Sequence, residues 1–393
     1  MARSRLRPRG RAQAPRRVLN RIFFTSAILI KRTAFFVSPA SESVKLIPNA
    51  GVFTLTGHTG EVLKIGKFFK AVVITAAVGV AAAGCSATGG APRNDGSSGT
   101  AGGVDTPRYV VAMVTHGAPG DTYWDLVRKG AEDAAKKDNI ELRYSSDPQA
   151  PNQANLVRSA VDSKVDGIAV TMPNAEAIGP AAQNAVDAGI PTVGLNAGME
   201  EYTKYGMTGF FGQDETIAGT TAGERLKEEG KSKVLCVIHE QGNSSQEARC
   251  DGVKQGLDGG TVELLYVNGQ DLTSVQSTIS SKLSQDRSFD TVFALQAPVA
   301  MRATESVKQS GSEAQVVTFD TNSELVDAIA DGRVAWAVDQ QPYLQGYLAV
   351  DSLWVAKRNG GTFGGGQPVF TGPSFVDSTN VDDVAEAAKA GLR

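Results

Sequence analysis

Between residues 108 and 357, short apolar segments alternate with longer amphipathic ones, and this alternation constrains the fold more than any other feature. Tyr109–Thr115 is a continuous apolar run, typical of a strand that is buried on both faces. The next segment, Leu126–Lys137, carries apolar residues at helical spacing. Because this pair of patterns recurs along the chain, the sequence predicts βαβ units and parallel sheets. The units are too many for one ordinary sheet, so we expect an α/β fold with two lobes.

Charge is distributed unevenly along the chain. Of its 39 Lys and Arg and 42 Asp and Glu, residues 1–84 contain 14 and 2, which leaves 25 basic and 40 acidic residues in the remainder. An acidic body lacks the basic face that phosphate contacts need, so we expect no nucleic-acid partner. The basic excess lies in a segment that is typical of targeting rather than of a folded domain.

Residues 62–85 have the organisation of a secretory signal peptide. A basic stretch precedes a 13-residue apolar run at 71–83, which is too short to span a bilayer comfortably. The run ends in Ala-Ala-Gly-Cys at Cys85, which resembles a bacterial lipobox. This resemblance implies that Cys85 is lipidated and becomes the first residue of a lipoprotein on the outer face of the bacterial cell membrane. An apolar helix with a chance cysteine is the alternative.

The segments on either side of this signal have separate interpretations. Residues 1–61 precede it, although a signal peptide should begin a chain. We expect them to be an extension from a wrongly assigned start codon or a disordered extension, with an additional targeting arm as the alternative. Residues 86–107 are rich in Gly, Ser and Thr, which predicts a flexible linker. We therefore expect an exported protein, held at the cell membrane or in the periplasm.

Two cysteines remain once Cys85 is assigned to lipidation. Cys236 lies in a strand-like run, and Cys250 lies in the helix-like segment that follows it. A strand and the next helix can be adjacent, and exported proteins fold in an oxidising compartment, so we expect a disulfide. Two buried thiols are the alternative. No CxxC or Cys/His cluster indicates a metal site, and we expect no cofactor.

Polar and aromatic side chains follow the predicted strands at their carboxyl ends, where open parallel sheets bind ligands. Carboxylates accept hydrogen bonds, amides donate and accept them, and aromatic faces cover the C–H face of a sugar ring. A phosphate ligand would instead need a Gly-rich loop or a basic cluster. The set therefore suits a small neutral sugar or polyol. The candidate ligand-binding residues are Thr115, His116, Asp121, Tyr123, Trp124, Asn196, Asn243, Arg249, Gln296, Asp320 and Gln340.

A single member of this set could equally have a structural role. A polar residue after a strand often caps a helix, and Asp320 and Asn322 could cap the predicted helix at Ser323–Ala330. His116 alone is more often a hydrogen-bonded loop residue. The sequence after residue 107 contains no G-x-G-x-x-G, P-loop, G-x-S-x-G or H-E-x-x-H motif. We therefore expect a binding protein and not an enzyme, with a Rossmann-like enzyme as the disfavoured alternative.

Six short segments carry a family resemblance through their order and spacing. They are Asp121-Thr122-Tyr123-Trp124, residues 190–196, Gln213-Asp214-Glu215, Arg249-Cys250-Asp251-Gly252, Phe319-Asp320 and residues 339–342. Over residues 108–375 they resemble the periplasmic or lipoprotein sugar-binding proteins of bacterial ABC importers, of the ribose-binding type within the type I periplasmic binding proteins. The resemblance implies two Rossmann-like lobes joined by a three-strand hinge. Lobe 1 would comprise 108–213 and 341–370, and lobe 2 would comprise 214–340 and 371–393.

The same resemblance implies a function. A monomer would capture a sugar or polyol between its lobes and deliver it to ABC permease and ATPase subunits. The Asp-Arg pair of the ribose type is Asn196-Ala197 here, and an arginine of the family falls on Glu247, so a pentose, a hexose and an inositol-like polyol all remain open. An extracellular sugar or autoinducer sensor that feeds a signalling receptor is the alternative role.

Overall fold

The computed structural model describes residues 106–393. The expected extension, the signal peptide with Cys85 and most of the linker lie outside these residues. The strands are β1 (Tyr109–Thr115), β2 (Ile140–Ser146), β3 (Gly167–Val170), β4 (Thr192–Leu195), β5 (Phe210–Gly212), β6 (Lys233–Ile238), β7 (Thr261–Tyr266), β8 (Thr291–Ala294), β9 (Gln315–Phe319), β10 (Trp336–Asp339), β11 (Val369–Phe370) and β12 (Ser374–Asp377).

The α-helices alternate with these strands through most of the chain. They are α1 (Thr122–Lys137), α2 (Ala150–Asp162), α3 (Ala175–Asp187), α4 (Glu215–Glu228), α5 (Ser244–Leu257), α6 (Leu272–Gln285), α7 (Ala297–Ser310), α8 (Ser323–Ala330), α9 (Pro342–Asn359) and α10 (Val381–Lys389). Short 3₁₀ helices occur at Tyr202–Tyr205 and Phe363–Gly366. Within the described residues, no helix combines the length and apolarity that crossing a bilayer requires.

The strands form two six-stranded sheets with the same internal order. The first is β11-β5-β4-β3-β1-β2 and the second is β12-β10-β9-β8-β6-β7, so β1 to β5 correspond to β6 to β10. All pairs are parallel except β10 with β12. The predicted α/β fold with two lobes is confirmed.

Helices cover both faces of each sheet. In β1, Met113 packs with α1 and α9 on one face, and Val114 packs with α2 and α3 on the other. In β6, Leu235 faces α6 and α7, whereas Cys236 faces α4 and α5. Because both faces of these strands are buried, their sequences are continuously apolar rather than alternating.

The chain passes between the two sheets three times. The crossings are residues 213–214 between β5 and α4, residues 340–341 between β10 and α9, and residues 371–373 between β11 and β12. These three adjacent segments form the hinge that the family resemblance implies. The carboxyl ends of both sets of parallel strands face each other across it, so the loops that follow the strands meet in one cleft.

Two crossings lead directly into helices that pack very closely on other helices. On α1, a Cβ atom at Gly130 would overlap the carbonyl oxygen of Tyr343 on α9. On α4, a Cβ atom at Gly219 would overlap the carbonyl oxygen of Arg249 on α5. Only glycine permits this approach, so α9 is fixed against α1 and α4 is fixed against α5.

Candidate ligand-binding site

A polar cavity of about 330 Å³, counting its opening to solvent, lies between the facing strand ends of the two sheets. Ten of the predicted candidates line it: His116, Asp121, Tyr123, Trp124, Asn196, Asn243, Arg249, Gln296, Asp320 and Gln340. Five further residues line it that the sequence-based set omits: His239, Glu240, Ser245, Gln246 and Leu295. A wider cleft shares part of this lining, and it is lined by the loops after β1, β2, β3, β6 and β7 and by the starts of α7 and α8.

Thr115 is the one candidate that the structure does not place in the cavity lining. Its hydroxyl lies 2.8 Å from the hydroxyl of Tyr144 on the neighbouring strand β2. This hydrogen bond holds the Thr115 side chain within the sheet. Its prediction as a ligand-binding residue is therefore not supported by its position.

The first lobe presents its aromatic side chains from the start of α1. The helix begins at Thr122 rather than at the predicted Leu126, because the Asp121 carboxylate caps it by accepting from the backbone N–H of Tyr123 at 3.0 Å. The cap places Tyr123 and Trp124 in the first turn. The Trp124 ring packs edge-on against His116, with the ring centroids 4.6 Å apart.

His116 and His239 occupy corresponding places, after β1 and after β6. Both are buried, and burial is the main cause that lowers the pKa of His116 to about 3 and that of His239 to about 4. Both rings are therefore uncharged at neutral pH. His116 Nδ1 lies 2.7 Å from the Thr171 hydroxyl, and His239 Nε2 lies 3.1 Å from Gln246 Nε2.

Amide groups connect the cavity to the second crossing. Asn196 Nδ2 donates to the Tyr123 hydroxyl at 2.7 Å, and that hydroxyl donates to Gln345 Oε1 at 3.2 Å. Gln345 Nε2 donates in turn to Gln340 Oε1 at 3.0 Å. The site therefore includes Gln345 of α9, which the sequence-based set lacks, as a support for the lining residues.

Three residues at or near the site have left-handed backbone conformations: Asn196 at φ 64°, Asp320 at φ 66° and Gln341 at φ 54°. Such conformations are uncommon for residues other than glycine and cluster at functional sites. Asn196 follows β4 and Asp320 follows β9, which are corresponding strands. Each lobe therefore turns one polar side chain toward the cleft from an equivalent place.

The Asp320 carboxyl group is buried, with 4% of the residue exposed. It accepts a hydrogen bond of 2.6 Å from Gln340 Nε2. Burial raises the pKa of Asp320 to about 7, against the opposing effects of the Arg249 charge and of the Gln340 hydrogen bond. The cap of α8 is made by Asn322, whose Oδ1 accepts from the backbone N–H of Leu325 at 2.8 Å.

Arg249 forms a buried ion pair with Glu215. The Nε–Oε2 distance is 2.7 Å and the Nη2–Oε1 distance is 2.9 Å, while 5% of Arg249 and 8% of Glu215 are exposed. Burial would lower the pKa of Arg249, but Glu215 outweighs it and raises that pKa. Gln213 in the first crossing donates to Glu215 Oε2 at 2.8 Å. The guanidinium also lies over the Phe319 ring, 4.4 Å from its centroid.

The second lobe presents α5 in the way that the first presents α1. Asn243 Oδ1 caps α5 by accepting from the backbone N–H of Ser245 at 3.0 Å, so the helix begins at Ser244. Gln246 Oε1 accepts from the backbone N–H of His239 at 3.0 Å and thereby holds the preceding loop. The equivalence of α5 with α1 becomes apparent only from the strand order, so no sequence pattern marks these residues.

A disulfide joins Cys236 of β6 to Cys250 of α5, with their Cα atoms 6.0 Å apart. Both cysteines are fully buried beneath the site. The bond fastens α5, which carries Gln246 and Arg249 and is capped by Asn243, to β6, an inner strand of its sheet.

The two lobes touch directly at the cleft. Gln296 Nε2 lies 2.8 Å from each carboxylate oxygen of Asp121 and donates to them across the cleft. The backbone N–H of Ser244 donates to the carbonyl oxygen of Pro173 at 3.1 Å. Burial is the main cause that raises the pKa of Asp121 to about 6. Groups from both lobes therefore meet at one side of the cavity.

These groups can hydrogen-bond an uncharged polyhydroxy molecule from several directions. The carboxylates accept, the amides donate and accept, and the aromatic rings supply apolar faces. Fold and site together define a two-lobed solute-binding protein, in which the ligand lies between the lobes. A family model described as a periplasmic binding protein domain matches residues 111–360, and the chain belongs to that family.

Solved structures include close relatives of this fold. The chain is similar to a carbohydrate transporter from Acidothermus cellulolyticus 11B in complex with myo-inositol, with 51% identity, a TM-score of 0.72, and coverage of 73% of this chain and all of that one. It is also similar to an ABC sugar transporter (periplasmic sugar binding protein) from Legionella pneumophila, with 26% identity, a TM-score of 0.62, and coverage of 67% and 99%.

Curated relatives are more distant. The xylose/arabinose-binding protein XylF of Sulfolobus acidocaldarius is 23% identical over 64% of this chain and 66% of its own length, just under two thirds. The ribose import binding protein RbsB of Haemophilus influenzae is 26% identical over 56% of this chain and 77% of its own length. The predicted membership of the sugar-binding proteins of ABC importers is confirmed, and this family consists of substrate-binding proteins rather than enzymes.

Proposed function

We propose that the protein is a lipid-anchored solute-binding protein of an ABC importer, which captures a small uncharged cyclic polyol between its lobes. The observation that carries this proposal is the cavity between the facing strand ends, whose polar lining comes from both lobes and from the second crossing. A ligand that bridges Asn196 of one lobe and Asp320 of the other stabilises the closed arrangement, because it contacts both lobes only when they are together.

An inositol-like ring is the ligand that we favour. The relative in complex with myo-inositol shares 51% identity with this chain over all of its own length. A ring with hydroxyl groups on every carbon offers a donor and an acceptor in each direction, which suits a lining whose polar groups come from both lobes. Pentoses and hexoses are the next candidates.

A thermal-shift and calorimetric screen of the purified protein tests the ligand class. We expect myo-inositol to raise the melting temperature and to bind with one-to-one stoichiometry. At a ligand concentration 100 times the Kd, binding stabilises the folded state by about 2.7 kcal/mol. The comparison set is xylose, ribose, glucose and xylitol. If none of these compounds stabilises the protein, the proposed function is wrong.

The lipid anchor is proposed from Cys85, which lies outside the described residues. The variant Cys85→Ser removes the acylation site, so we expect the protein to move from the membrane to the soluble fraction of the cells. Immunoblots of both fractions provide the measurement, and Ser97→Ala in the linker is the matched control that keeps the anchor. Continued membrane retention of Cys85→Ser would contradict the lipobox interpretation.

Delivery to permease and ATPase subunits is the remaining part of the proposal. The family assignment supports it, because the relatives named above include solute-binding proteins of ABC transporters. Cells that lack this protein should lose uptake of labelled ligand at low concentration and regain it when the gene is returned. Normal uptake in such cells would favour a role in sensing.

A further inference from the structure

Arg249 is the only Lys or Arg among the described residues that line the cavity. Its guanidinium group makes two short contacts with the Glu215 carboxylate, at 2.7 and 2.9 Å. Both residues are more than nine-tenths buried, so water screens this pair very little. A bidentate carboxylate at this distance neutralises the guanidinium charge locally and still leaves it N–H groups for other acceptors.

Glu215 is held in place from outside the cavity. It is the first residue of α4, directly after the first crossing, and Gln213 Nε2 donates to its Oε2 at 2.8 Å. Glu215 itself does not line the cavity. Whatever it does to a bound molecule, it does through Arg249.

The other ionisable residues of the cavity lining carry no positive charge at neutral pH. Asp121, Glu240 and Asp320 contribute carboxyl groups. His116 and His239 are uncharged at neutral pH because burial lowers the pKa of each. A bound molecule therefore meets carboxyl groups and neutral donors, and within the described part of the chain it meets no positive charge that is not already paired.

We propose that Glu215 determines the class of ligand: by neutralising Arg249 it lets the guanidinium donate to an uncharged ring and withholds the positive charge that an anionic sugar would need. The excluded molecules are uronates and polyol phosphates. This inference rests on the proposed function, because it concerns the selectivity of the same cavity. Glu215 acts as a positioning and charge-balancing residue, since it does not touch the ligand.

The test compares matched neutral and anionic rings on the wild-type protein and on Glu215→Gln. The probes are myo-inositol with inositol monophosphate, and glucose with glucuronate, whose carboxylate replaces a CH₂OH group without added bulk. We expect the wild type to bind a neutral ring at least 100-fold more tightly than its anionic partner. In Glu215→Gln the guanidinium is unpaired, so this preference should fall at least tenfold, as measured by calorimetry.

Three controls separate charge from general damage. Glu215→Asp keeps the charge and loses part of the geometry. It should therefore lower the affinity for both ligands and keep the wild-type preference for the neutral ring. Glu229→Gln removes a carboxylate that pairs with Arg225 and with the Trp336 N–H, away from the cavity. It should change neither the affinity for the neutral ring nor the affinity for the anionic ring. A preference that falls as far in Glu215→Asp as in Glu215→Gln overturns the proposal.

The third control is a double variant, which keeps the proposal testable if Glu215→Gln does not fold. Glu215→Gln/Arg249→Gln buries no unpaired charge, so we expect it to fold, to bind the neutral ring within tenfold of the wild type and to reject the anion. Acceptance of the anion by this double variant, or an unchanged preference in Glu215→Gln, overturns the proposal. If the wild type binds the neutral and the anionic member of a pair with equal affinity, the role of Glu215 is overturned and the proposed function stands. If the wild type binds no neutral ring, the proposed function is overturned as well.

Discussion

Asp320 and Asn322 are two positions apart and have different roles in the structure. Both could have capped the same helix, and the sequence offers no means of separating them. The left-handed backbone at Asp320 turns its carboxyl group toward the cavity, while Asn322 caps α8. The capping bond needs an acceptor directly before the helix, which is the place of Asn322, and Asp320 therefore remains available to a ligand.

The first prediction concerns ligand affinity. Asp320→Ala should weaken ligand binding at least tenfold, or about 1.4 kcal/mol, because a hydroxyl group of the ligand loses its buried acceptor. The matched control is Asn322→Ala, which should lower stability by about 1 kcal/mol through loss of the cap and leave affinity unchanged. Calorimetry and thermal melts on both variants give the two values. Equal affinities for the wild type and Asp320→Ala would remove Asp320 from the site.

The second prediction concerns pH. The pKa of Asp320 is raised from 3.8 to about 7 in the folded state, so the folded state binds more protons than the unfolded state between these values. Stability from this group therefore falls as pH rises from about 4 to about 7, and the loss is complete above that range.

The lowered pKa values of His116 and His239 act in the opposite direction at acid pH, so only a difference between proteins isolates Asp320. Asp320→Asn has no titrating group at this position. Relative to the wild type, its free energy of unfolding in the absence of ligand should rise between pH 4 and pH 7 and then stay level. A difference that does not change with pH would contradict the raised pKa.

The sequence indicated most of the lining residues because they directly follow strands, and the ends of parallel strands share one edge of a sheet. It missed Ser245 and Gln246 as lining residues because the helical pattern alone does not show where α5 begins. The cap by Asn243 sets that start, and a cap depends on the local backbone rather than on periodicity. Glu215 was visible only as part of a crossing motif, since its partner Arg249 is distant in sequence.

At the scale of single elements, apolar runs and periodicity predicted most strands and helices but missed β5, β11, β12 and α10. β5 has three residues and β11 has two, which is too few for a recognisable pattern. β12 is only partly buried, so its four residues do not form the continuous apolar run of the buried four-residue strands. Helix α10 does carry apolar residues at helical spacing, at Val381, Val384 and Ala388, and this signal was available.

The third prediction concerns the disulfide and α5. The cysteines are 14 positions apart, and loops of this length are stabilised by about 3 kcal/mol in the chain-entropy description. The double variant Cys236→Ala/Cys250→Ala should therefore have a lower melting temperature. It should also bind ligand more weakly, because α5 presents Asn243 and Arg249. Cys85→Ser serves as the control, and unchanged affinity would show that the sheet alone positions α5.

At the scale of the whole molecule, the number of βαβ units was enough to predict two lobes. The three crossings came from the family resemblance, because β11 and β12 are too short to be recognised alone. The correspondence of β1 to β5 with β6 to β10 emerges only once the strand order is known. The sequences of corresponding strands differ, so the repetition lies in the topology.

The fourth prediction concerns the contacts across the cleft. Gln296→Ala removes the hydrogen bonds to Asp121, so the ligand-free protein should be more open, with a larger radius of gyration in X-ray scattering. Saturating ligand should restore the wild-type value, since the ligand itself bridges the lobes. Gln315→Ala, whose side chain bonds Glu229 away from the cleft, is the matched control. Identical scattering of the two ligand-free variants would contradict this role for Gln296.

The close approaches at Gly130 and Gly219 have a practical consequence. They couple the helix that follows a hinge segment rigidly to the helix that presents side chains to the cleft, in each lobe. Substitution of cavity side chains should then alter which compound is recognised without altering the hinge motion of the two lobes. A pair of reporter dyes on the two rims would consequently signal occupancy for redesigned cavities as well as for the natural one.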